Sequence, residues 1–362
     1  MTGTTLKTPY VQRVDTNALT EFCVRALIAA GLSEDDARLT SRLQVQAEMR
    51  GIYTHGLAGF RKFAQMMRDG GIDPRGVPEI TAEGPAWAQL DAHAAVGMIG
   101  AHAGMSAAIG KAKQMGIGTA GVRNSTHFGA ACVYAMMAMD EGMIGIAASN
   151  VNPVMTIPGA RGAVLGNNPL AYAIPAKTQP PMVLDIAMST VAGGKVFSAK
   201  VLGQSIPDTW LTDIDGLPTT DPSGFTLGSA LTPFAGHKGY GIGLLIESLA
   251  GVLTGAGLTS DMTDWSQETG KPADQGHWFM AVNVEAMMPA DAYYERVDKL
   301  IDRMRTAPKA KGVERTFVPG EMELEHEALC REHGIALTQA TIDNLTGLAV
   351  DVGIEDALPW TD

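Results

Sequence analysis

The glycine-rich hexapeptide Gly116-Ile-Gly-Thr-Ala-Gly121 constrains the fold through its position in the secondary-structure pattern. A GxGxxG sequence binds the pyrophosphate of a dinucleotide where it follows a strand and opens a helix. Here an Ala/Gly-rich helix is predicted to end near Met115, and a buried strand is predicted over 119–123. Because this order is reversed, the hexapeptide favours a helix-to-strand turn over a Rossmann domain.

The remaining pattern predicts a mixed α/β or α+β fold, since helices and strands alternate irregularly. We expect a helical N-terminal unit over 1–75, joined by C-terminal helices within 321–362, and a large mixed-sheet domain over 76–320. The predicted helices include 16–30, 33–49, 57–68, 293–305 and 321–333, and the predicted strands include 119–123, 143–149, 171–174, 182–186 and 279–284. A further helix over 239–255 is expected to be largely buried through Leu244, Leu245, Ile246, Leu249 and Val252.

Charge and composition exclude several classes of protein. The 362 residues carry a net charge of −12, which argues against binding to nucleic acid because a polyanion requires a basic surface. The first fifteen residues contain no apolar run, and no segment is typical of a membrane span. Three widely spaced cysteines indicate neither a disulfide framework nor a zinc ribbon. We therefore expect a cytoplasmic protein with no membrane or nucleic-acid partner.

Two histidines lie in predicted loops, where catalytic and binding residues are commonly found. His55 follows a helix break in Thr54-His55-Gly56, and His127 lies in the loop after the strand over 119–123. A neutral histidine can transfer a proton near pH 7, although a hydrogen-bonded structural role is also compatible with each position. The segment 233–241 places Lys238 and backbone amides at the start of an apolar helix, which is typical of an anion cradle or of a simple turn.

A third group of polar residues lies on one predicted helix. His326, Cys330 and His333 occupy one face at i, i+4 and i+7. They are competent metal ligands, but a zinc site needs a fourth ligand or a water, and a solvated helix face explains them as well. We expect no metal site.

The chain resembles the second type of malate/L-lactate dehydrogenase, a family unrelated to the Rossmann-fold lactate and malate dehydrogenases. Its relatives include ureidoglycolate dehydrogenases and piperideine-2-carboxylate reductases. The motifs that carry the resemblance recur in the family's order: Arg50-Gly-Ile-Tyr-Thr-His-Gly56, Asn124-Ser-Thr-His-Phe-Gly129, Leu165-Gly-Asn-Asn-Pro169, Val183-Leu-Asp-Ile-Ala-Met-Ser189, Ala192-Gly-Gly-Lys195, Asp213-Ile-Asp-Gly-Leu-Pro-Thr-Thr-Asp-Pro222, Gly236-His-Lys-Gly-Tyr-Gly241 and Val318-Pro-Gly-Glu321.

The resemblance implies hydride transfer between NAD or NADP and a small carboxylate, as a 2-hydroxy/2-oxo acid or the related amino/imino acid. It also implies a non-Rossmann cofactor domain and a homodimer with active sites near the subunit interface. The catalytic residues that it implies are Thr54, His55, His127 and Lys195. The implied substrate-binding residues are Gly59, Asn167, Gly193 and Gly194. The implied cofactor-binding residues are His127, Phe128, Gly129, Ala130, Ala131, Asp185, Ile186, Ala187, His237 and Lys238.

The chain departs from the family pattern at three of these positions. Thr54 replaces the usual serine, and Lys195 stands where some members have an acidic partner of the first histidine. Gly59 replaces an arginine that can clamp a substrate carboxylate, and Arg61 is not equivalent without a local shift. Since glycine opens space, we predict a substrate bulkier than pyruvate or oxaloacetate, or one that holds its acid group elsewhere.

Other functions stay open at this point. A cyclic imino acid, such as a piperideine or pyrroline carboxylate, is the alternative substrate. A hydrolase could combine a histidine with Ser125 or Ser189 and Asp185, although no GxSxG sequence supports it. A non-catalytic metabolite-binding relative is a further alternative. Arg123 and Arg161 are candidates for contacting a 2′-phosphate of NADP.

Overall fold

The computed structural model of the protein describes residues 10–360, and its strands form three sheets within that range. The largest is a seven-stranded mixed sheet in the order β2-β3-β4-β11-β5-β6-β7. Two small antiparallel sheets pair β1 with β12 and place β8 between β9 and β10. The strands are β1 (Tyr10–Val14), β2 (Glu79–Gly84), β3 (Trp87–Asp91), β4 (Ile117–Ser125), β5 (Met143–Ser149), β6 (Leu170–Ile174), β7 (Met182–Ile186), β8 (Leu211–Thr212), β9 (Pro218–Thr219), β10 (Ala230–Leu231), β11 (Gln275–Asn283) and β12 (Ile335–Thr338).

Some helices cover the large sheet, and the helices from the N- and C-terminal parts of the chain pack against each other. The strand over 143–149, the strand over 182–186 and the helix over 321–333 were predicted with the bounds that the structure has. The helices are α1 (Thr16–Ala29), α2 (Glu34–Met49), α3 (Phe60–Asp69), α4 (Gly97–Met115), α5 (Cys132–Asp140), α6 (Gly193–Val201), α7 (His237–Ile246), α8 (Val284–Met287), α9 (Ala290–Arg305), α10 (Glu321–His333) and α11 (Gln339–Val352).

The glycine-rich hexapeptide joins α4 to β4, as the sequence predicted. Gly116 has the positive φ of +83° that suits the residue after a helix, and β4 begins at the next residue. Gly118 lets the backbones of helix and strand touch, because a Cβ there would lie 2.1 Å from the Ala108 carbonyl oxygen. The hexapeptide therefore serves packing in the centre of the sheet.

The N- and C-terminal parts of the chain pack together. Strands β1 and β12 pair, α2 contacts α10, and α3 contacts α11. One hydrophobic cluster runs from Leu19 and Phe22 of α1 through Met105 of α4 to Phe279 of β11. The division into units at 1–75 and 76–320 stays a prediction. Residues 1–9 of the predicted polar lead-in lie outside the described residues.

The prediction of a largely buried helix over 239–255 is wrong in part. The helix α7 continues as a π-helical turn over Glu247–Val252, and Ile246 is buried, but Leu244, Leu245 and Val252 are 42%, 57% and 62% exposed. An apolar sequence around a whole helix indicates burial on all sides, whereas this helix packs on the sheet with only one side.

Residues 10–360 contain neither a membrane-spanning helix nor a cluster of metal-ligand side chains. None of the helices there is both long and apolar enough to cross a bilayer. No group of three or more histidine, cysteine or acidic side chains in that range could hold a metal ion. The three cysteines are buried free thiols.

Candidate active site

One cavity of about 250 Å³ opens where the loops after α2 and β4 meet the end of β7 and the start of α6. These segments are far apart in the sequence, and the sheet brings them together. The cavity wall contains most of the residues that the sequence implicated: Thr54, His55, His127, Phe128, Gly129, Ala130, Ala131, Asn167, Asp185, Ile186, Ala187, Gly193 and Gly194.

The imidazole of His55 is oriented by its neighbour in the chain. The Nδ1 atom of His55 lies 2.7 Å from the hydroxyl oxygen of Thr54, so the threonine makes the hydrogen bond expected of the usual serine. The methyl group of Thr54 contacts the first turn of α6, since a Cβ on Gly194 would lie 2.7 Å from it. Thr54 therefore fixes one ring nitrogen of His55, which leaves Nε2 for a bound molecule.

The ring of His127 stacks on that of His55, with 5.3 Å between centroids and 29° between planes. The backbone N–H of Gly129 donates to Nδ1 of His127 at 3.2 Å, so a neutral His127 carries its proton on Nε2. Burial, followed by the neighbouring His55 and His277, lowers the pKa of His127 to about 3. His127 is therefore a neutral hydrogen-bond donor at pH 7.

Asp185, at the end of β7, is the carboxyl group that lines the cavity beside this pair. Its Oδ2 atom accepts a hydrogen bond of 2.9 Å from the backbone N–H of Cys132 at the start of α5. Burial raises the pKa of Asp185, while its hydrogen bonds with Cys132 and the charge of His55 lower it. Burial lowers the pKa of His55, and the charge of Asp185 raises it. Asp185 thus favours the protonated form of His55, while burial favours the neutral form.

Four implicated residues lie away from the cavity wall. Lys195 is exposed on α6, and His237 and Lys238 are exposed at the start of α7. Gly59 does not line the cavity either, because the ring of Phe63 covers it: a Cβ on Gly59 would lie 3.0 Å from that ring. The expectation that Gly59 opens space is therefore wrong.

Three arginines named above in connection with a substrate or cofactor anion have carboxylate neighbours. Arg61 points outward and forms a salt bridge of 2.7 Å with Asp351, so it does not replace the absent clamp. Arg123 lies 3.2 Å from Asp91, and the exposed Arg161 lies 4.0 Å from Asp215.

Several residues near the cavity were not among those that the sequence implicated in the site. The buried Gln44 and Glu48 of α2 contact the backbone of the His55 loop, and the ring of Trp265 lies tilted against that of His127 with 4.9 Å between centroids. Arg50 lines the cavity and pairs with Glu327 of α10 at 3.0 Å. For Gln44 and Glu48 a signal existed, since polar residues one turn apart on the buried face of a helix indicate a specific partner.

The helix face with His326, Cys330 and His333 supports the same loop. His326 lies 2.6 Å from the Met49 carbonyl oxygen through Nδ1 and 3.0 Å from the Tyr53 hydroxyl through Nε2. His333 is half-exposed. The ring nitrogens of His326 are thus engaged by the protein, as a structural residue requires.

Comparison with known proteins decides the family. Residues 14–346 match the family model described as malate/L-lactate dehydrogenase. The chain belongs to the malate/L-lactate dehydrogenase family. Its members are oxidoreductases, so the protein is an enzyme of the dehydrogenase or reductase type acting on CH–OH or C=N groups.

Individual relatives of this dehydrogenase share its length and fold. The malate dehydrogenase of Pyrococcus horikoshii is 32% identical over 354 residues, which are 95% of this chain and 96% of that protein. Its structure superposes with a TM-score of 0.87, covering 96% of this chain and 97% of that one, at 31% identity. The Δ1-piperideine-2-carboxylate reductase of Pseudomonas syringae has a TM-score of 0.82 at 28% identity, covering 94% of this chain and all of that one. The ureidoglycolate dehydrogenase of Escherichia coli is 29% identical over 85% of this chain and 88% of its own length. The mixed, non-Rossmann α/β fold is therefore the family's fold.

Proposed function

We propose that this dehydrogenase transfers hydride between NAD or NADP and a 2-oxo or 2-hydroxy acid bulkier than pyruvate. The observation that carries the proposal is the stacked pair His55 and His127, which faces Asp185 in one cavity. Reduction of a carbonyl group needs a proton at oxygen as hydride reaches carbon.

The cavity suits the nicotinamide end of such a cofactor. Its wall combines the backbone of residues 128–131 and the start of α5 with apolar side chains such as Ile186 and Ala187. These are the flat apolar and hydrogen-bonding surfaces that a carboxamide ring requires. When bound, the nicotinamide supplies or accepts the hydride. Phe128 to Ala131 and Asp185 to Ala187 would hold it.

The two histidines have different roles in this proposal. His55 is the acid–base residue, because Thr54 orients its ring and Asp185 stabilises its protonated form. His127 is neutral with its proton on Nε2, so it donates a hydrogen bond that orients the substrate oxygen and polarises the carbonyl group. Asn167 and the first turn of α6 at Gly193 and Gly194 would bind the rest of the substrate.

The preference for a bulkier substrate now rests on the absent clamp. Position 59 is a glycine covered by Phe63, and Arg61 is engaged by Asp351, so the arginine that could clamp a substrate carboxylate has no replacement there. Loss of such a charge-assisted pair costs a small 2-oxo acid about 1.5–3 kcal/mol. Larger 2-oxo acids depend less on that pair, and cyclic imino acids are the alternative substrates for the same reason.

The hydrolase alternative finds no support at the two serines. The hydroxyl of Ser125 lies 2.9 Å from Nε2 of His277, but both residues are buried and inaccessible to a substrate. Ser189 donates to the carbonyl oxygen of Val191.

A screen of hydroxy acids, oxo acids and cyclic imines with NAD(H) and NADP(H) tests the proposal. We expect turnover of larger 2-oxo acids to exceed that of pyruvate and oxaloacetate. His55→Ala should lower kcat strongly, and the matched surface variant His333→Ala should not. If no pair of substrate and cofactor turns over, or if His55→Ala is as active as the wild type, the proposal is wrong. Binding of a nicotinamide cofactor without turnover would favour the non-catalytic alternative.

We also propose that the protein is a homodimer with the cavity close to the interface. Helix α6 starts at the cavity and continues with exposed Phe197, Val201 and Leu202, which are 56%, 69% and 55% exposed. Leu244 and Leu245 of α7 add further exposed apolar surface. Sedimentation equilibrium should give twice the chain mass, and Leu245→Glu should shift the population toward the monomer.

A further inference from the structure

Two polar side chains of α2 are buried against the loop that carries His55. Gln44 and Glu48 lie one helical turn apart, so they project from the same face of α2, and each is 2% exposed. A buried carboxyl and a buried amide are costly unless each has a hydrogen-bonding partner. Both partners are in the backbone of residues 55–57.

Glu48 holds the residue two positions after His55. Its Oε2 atom accepts a hydrogen bond of 3.0 Å from the backbone N–H of Leu57. The carboxyl also fits closely under Gly56, where an added Cβ would lie 2.3 Å from Oε2. Among residues 10–360, no lysine or arginine forms a salt bridge with Glu48; the titratable groups that face it are Cys23, Tyr53 and Cys330. This carboxyl is therefore committed to the loop.

Gln44 holds His55 itself. With its amide nitrogen toward the loop, Gln44 donates to the carbonyl oxygen of His55 at 2.5 Å and to that of Gly56 at 3.3 Å. The same amide borders the loop of the second histidine, since a Cβ on Gly129 would lie 3.1 Å from it. Gln44 thus lies between the two loops whose histidines stack 5.3 Å apart.

We propose that Gln44 and Glu48 are positioning residues that fix the backbone of residues 55–57, and so hold the His55 ring against His127 and beside Asp185. The proposal rests on the acid–base role proposed for His55. Neither side chain lines the cavity, so both act through the backbone. A small displacement of an acid–base group can slow a reaction about 100-fold without loss of ligand binding.

The test uses near-isosteric variants of the full-length protein. Gln44→Met removes both donated hydrogen bonds, and Glu48→Met removes the acceptor for Leu57. Glu48→Gln keeps an acceptor oxygen, and Gln46→Met is the matched control because Gln46 is a partly exposed residue of the same helix. We expect Gln44→Met and Glu48→Met to lower kcat about 10- to 100-fold with cofactor affinity unchanged, and Glu48→Gln and Gln46→Met to retain most of the rate.

A second readout is independent of turnover. NMR titration of the protein labelled at the histidine Cε1 positions follows the pKa of His55 directly. Burial is the main cause that lowers the pKa of His55, and the titratable groups that face its ring are Asp185 and His127. Because release of the loop would make the ring less buried, it should raise this pKa. Gln44→Met should therefore show a higher His55 pKa than Gln46→Met.

An unchanged His55 titration together with unchanged kcat in Gln44→Met would overturn the proposal, as would an equal effect of Gln46→Met. If the wild type turns over none of the substrates screened, the proposed function fails, but the titration still decides whether Gln44 positions the His55 ring. Midpoints of thermal unfolding identify any variant whose loss of rate comes from unfolding.

Discussion

The ring of Phe63 lies over the backbone of Gly59, so that a Cβ at position 59 would approach its Cε2 atom to 3.0 Å. Phe63 is itself buried and stacks on Trp265 at 6.3 Å, and it lies 6.2 Å from the ring of His127. Next to Gly59 the chain thus has an aromatic pair, Phe63 and Trp265, that packs against the ring of His127.

Gly59→Ala should destabilise the protein by about 1–2 kcal/mol, because the added methyl group overpacks a buried aromatic ring. The backbone at Gly59 has φ −83° and ψ −17°, which alanine adopts without strain, so the cost comes from the contact with Phe63. Urea unfolding measures it. Gly110→Ala in α4 is the control: its Cβ meets nothing within 4 Å, and it should stabilise by about 0.5–1 kcal/mol. Equal stabilisation by both variants would contradict the packing argument.

His277 should make the protein less stable in acid. Both its ring nitrogens lie 2.9 Å from serine hydroxyls, of Ser149 and Ser125, and burial lowers its pKa to about 3. Below pH 6.5 the unfolded chain therefore takes up a proton that the native state does not. The free energy of unfolding should therefore decrease as the pH is lowered. His277 alone should account for about 2 kcal/mol of that decrease between pH 7.5 and 5.

Urea unfolding at several pH values separates this contribution from those of other groups. His277→Gln removes the titrating ring, so its free energy of unfolding should fall less steeply between pH 7.5 and 5 than that of the wild type. Identical pH dependence in the two proteins would show that His277 does not contribute.

Asp185→Asn should lower the pKa of His55. The charge of Asp185 raises that pKa, and asparagine removes the charge while keeping an oxygen that can accept from the N–H of Cys132. NMR titration of His55, and the acid limb of kcat/KM, should both move to lower pH. Asp221→Asn, an exposed carboxylate variant, should leave both where they are. A shift to higher pH would mean that Asp185 does not act on His55 by charge.

The buried pair Arg50–Glu327 should be sensitive to loss of one partner. Glu327 accepts from Arg50 at 3.0 Å and from Arg331 at 2.6 Å, and it ties α10 to the residue where α2 ends. Glu327→Leu leaves the Arg50 guanidinium buried without its carboxylate, so it should cost about 3–5 kcal/mol. The double variant Arg50→Met/Glu327→Leu should recover part of that loss. A double-mutant cycle measured by urea unfolding gives the coupling, and additive losses would exclude it.

Much of the local structure followed from the sequence. The reversed order around residues 116–121 excluded a Rossmann turn because a helix ending in glycine leads into a buried strand, and the structure has that order. The family motifs implicated His55, His127 and Asp185, and these three line one cavity. Helix caps, glycine turns and ligand-loop motifs are local signals, so the residues themselves carry them.

Tertiary structure decided which partner each side chain has. The apolar residues Leu244 and Leu245 could be buried or exposed on any apolar helix, and they are exposed because only one side of α7 is covered by the rest of the protein. The sequence predicted free space at Gly59, where the family commonly has an arginine, but the ring of Phe63, one turn later, fills that space. The contacts of Gln44 and Glu48 with the His55 loop depend on the angle at which the chain leaves α2. Local propensity fixes where a helix begins and ends, but the surface that covers each side chain comes from distant segments, and their arrangement is set by the packing of the whole core.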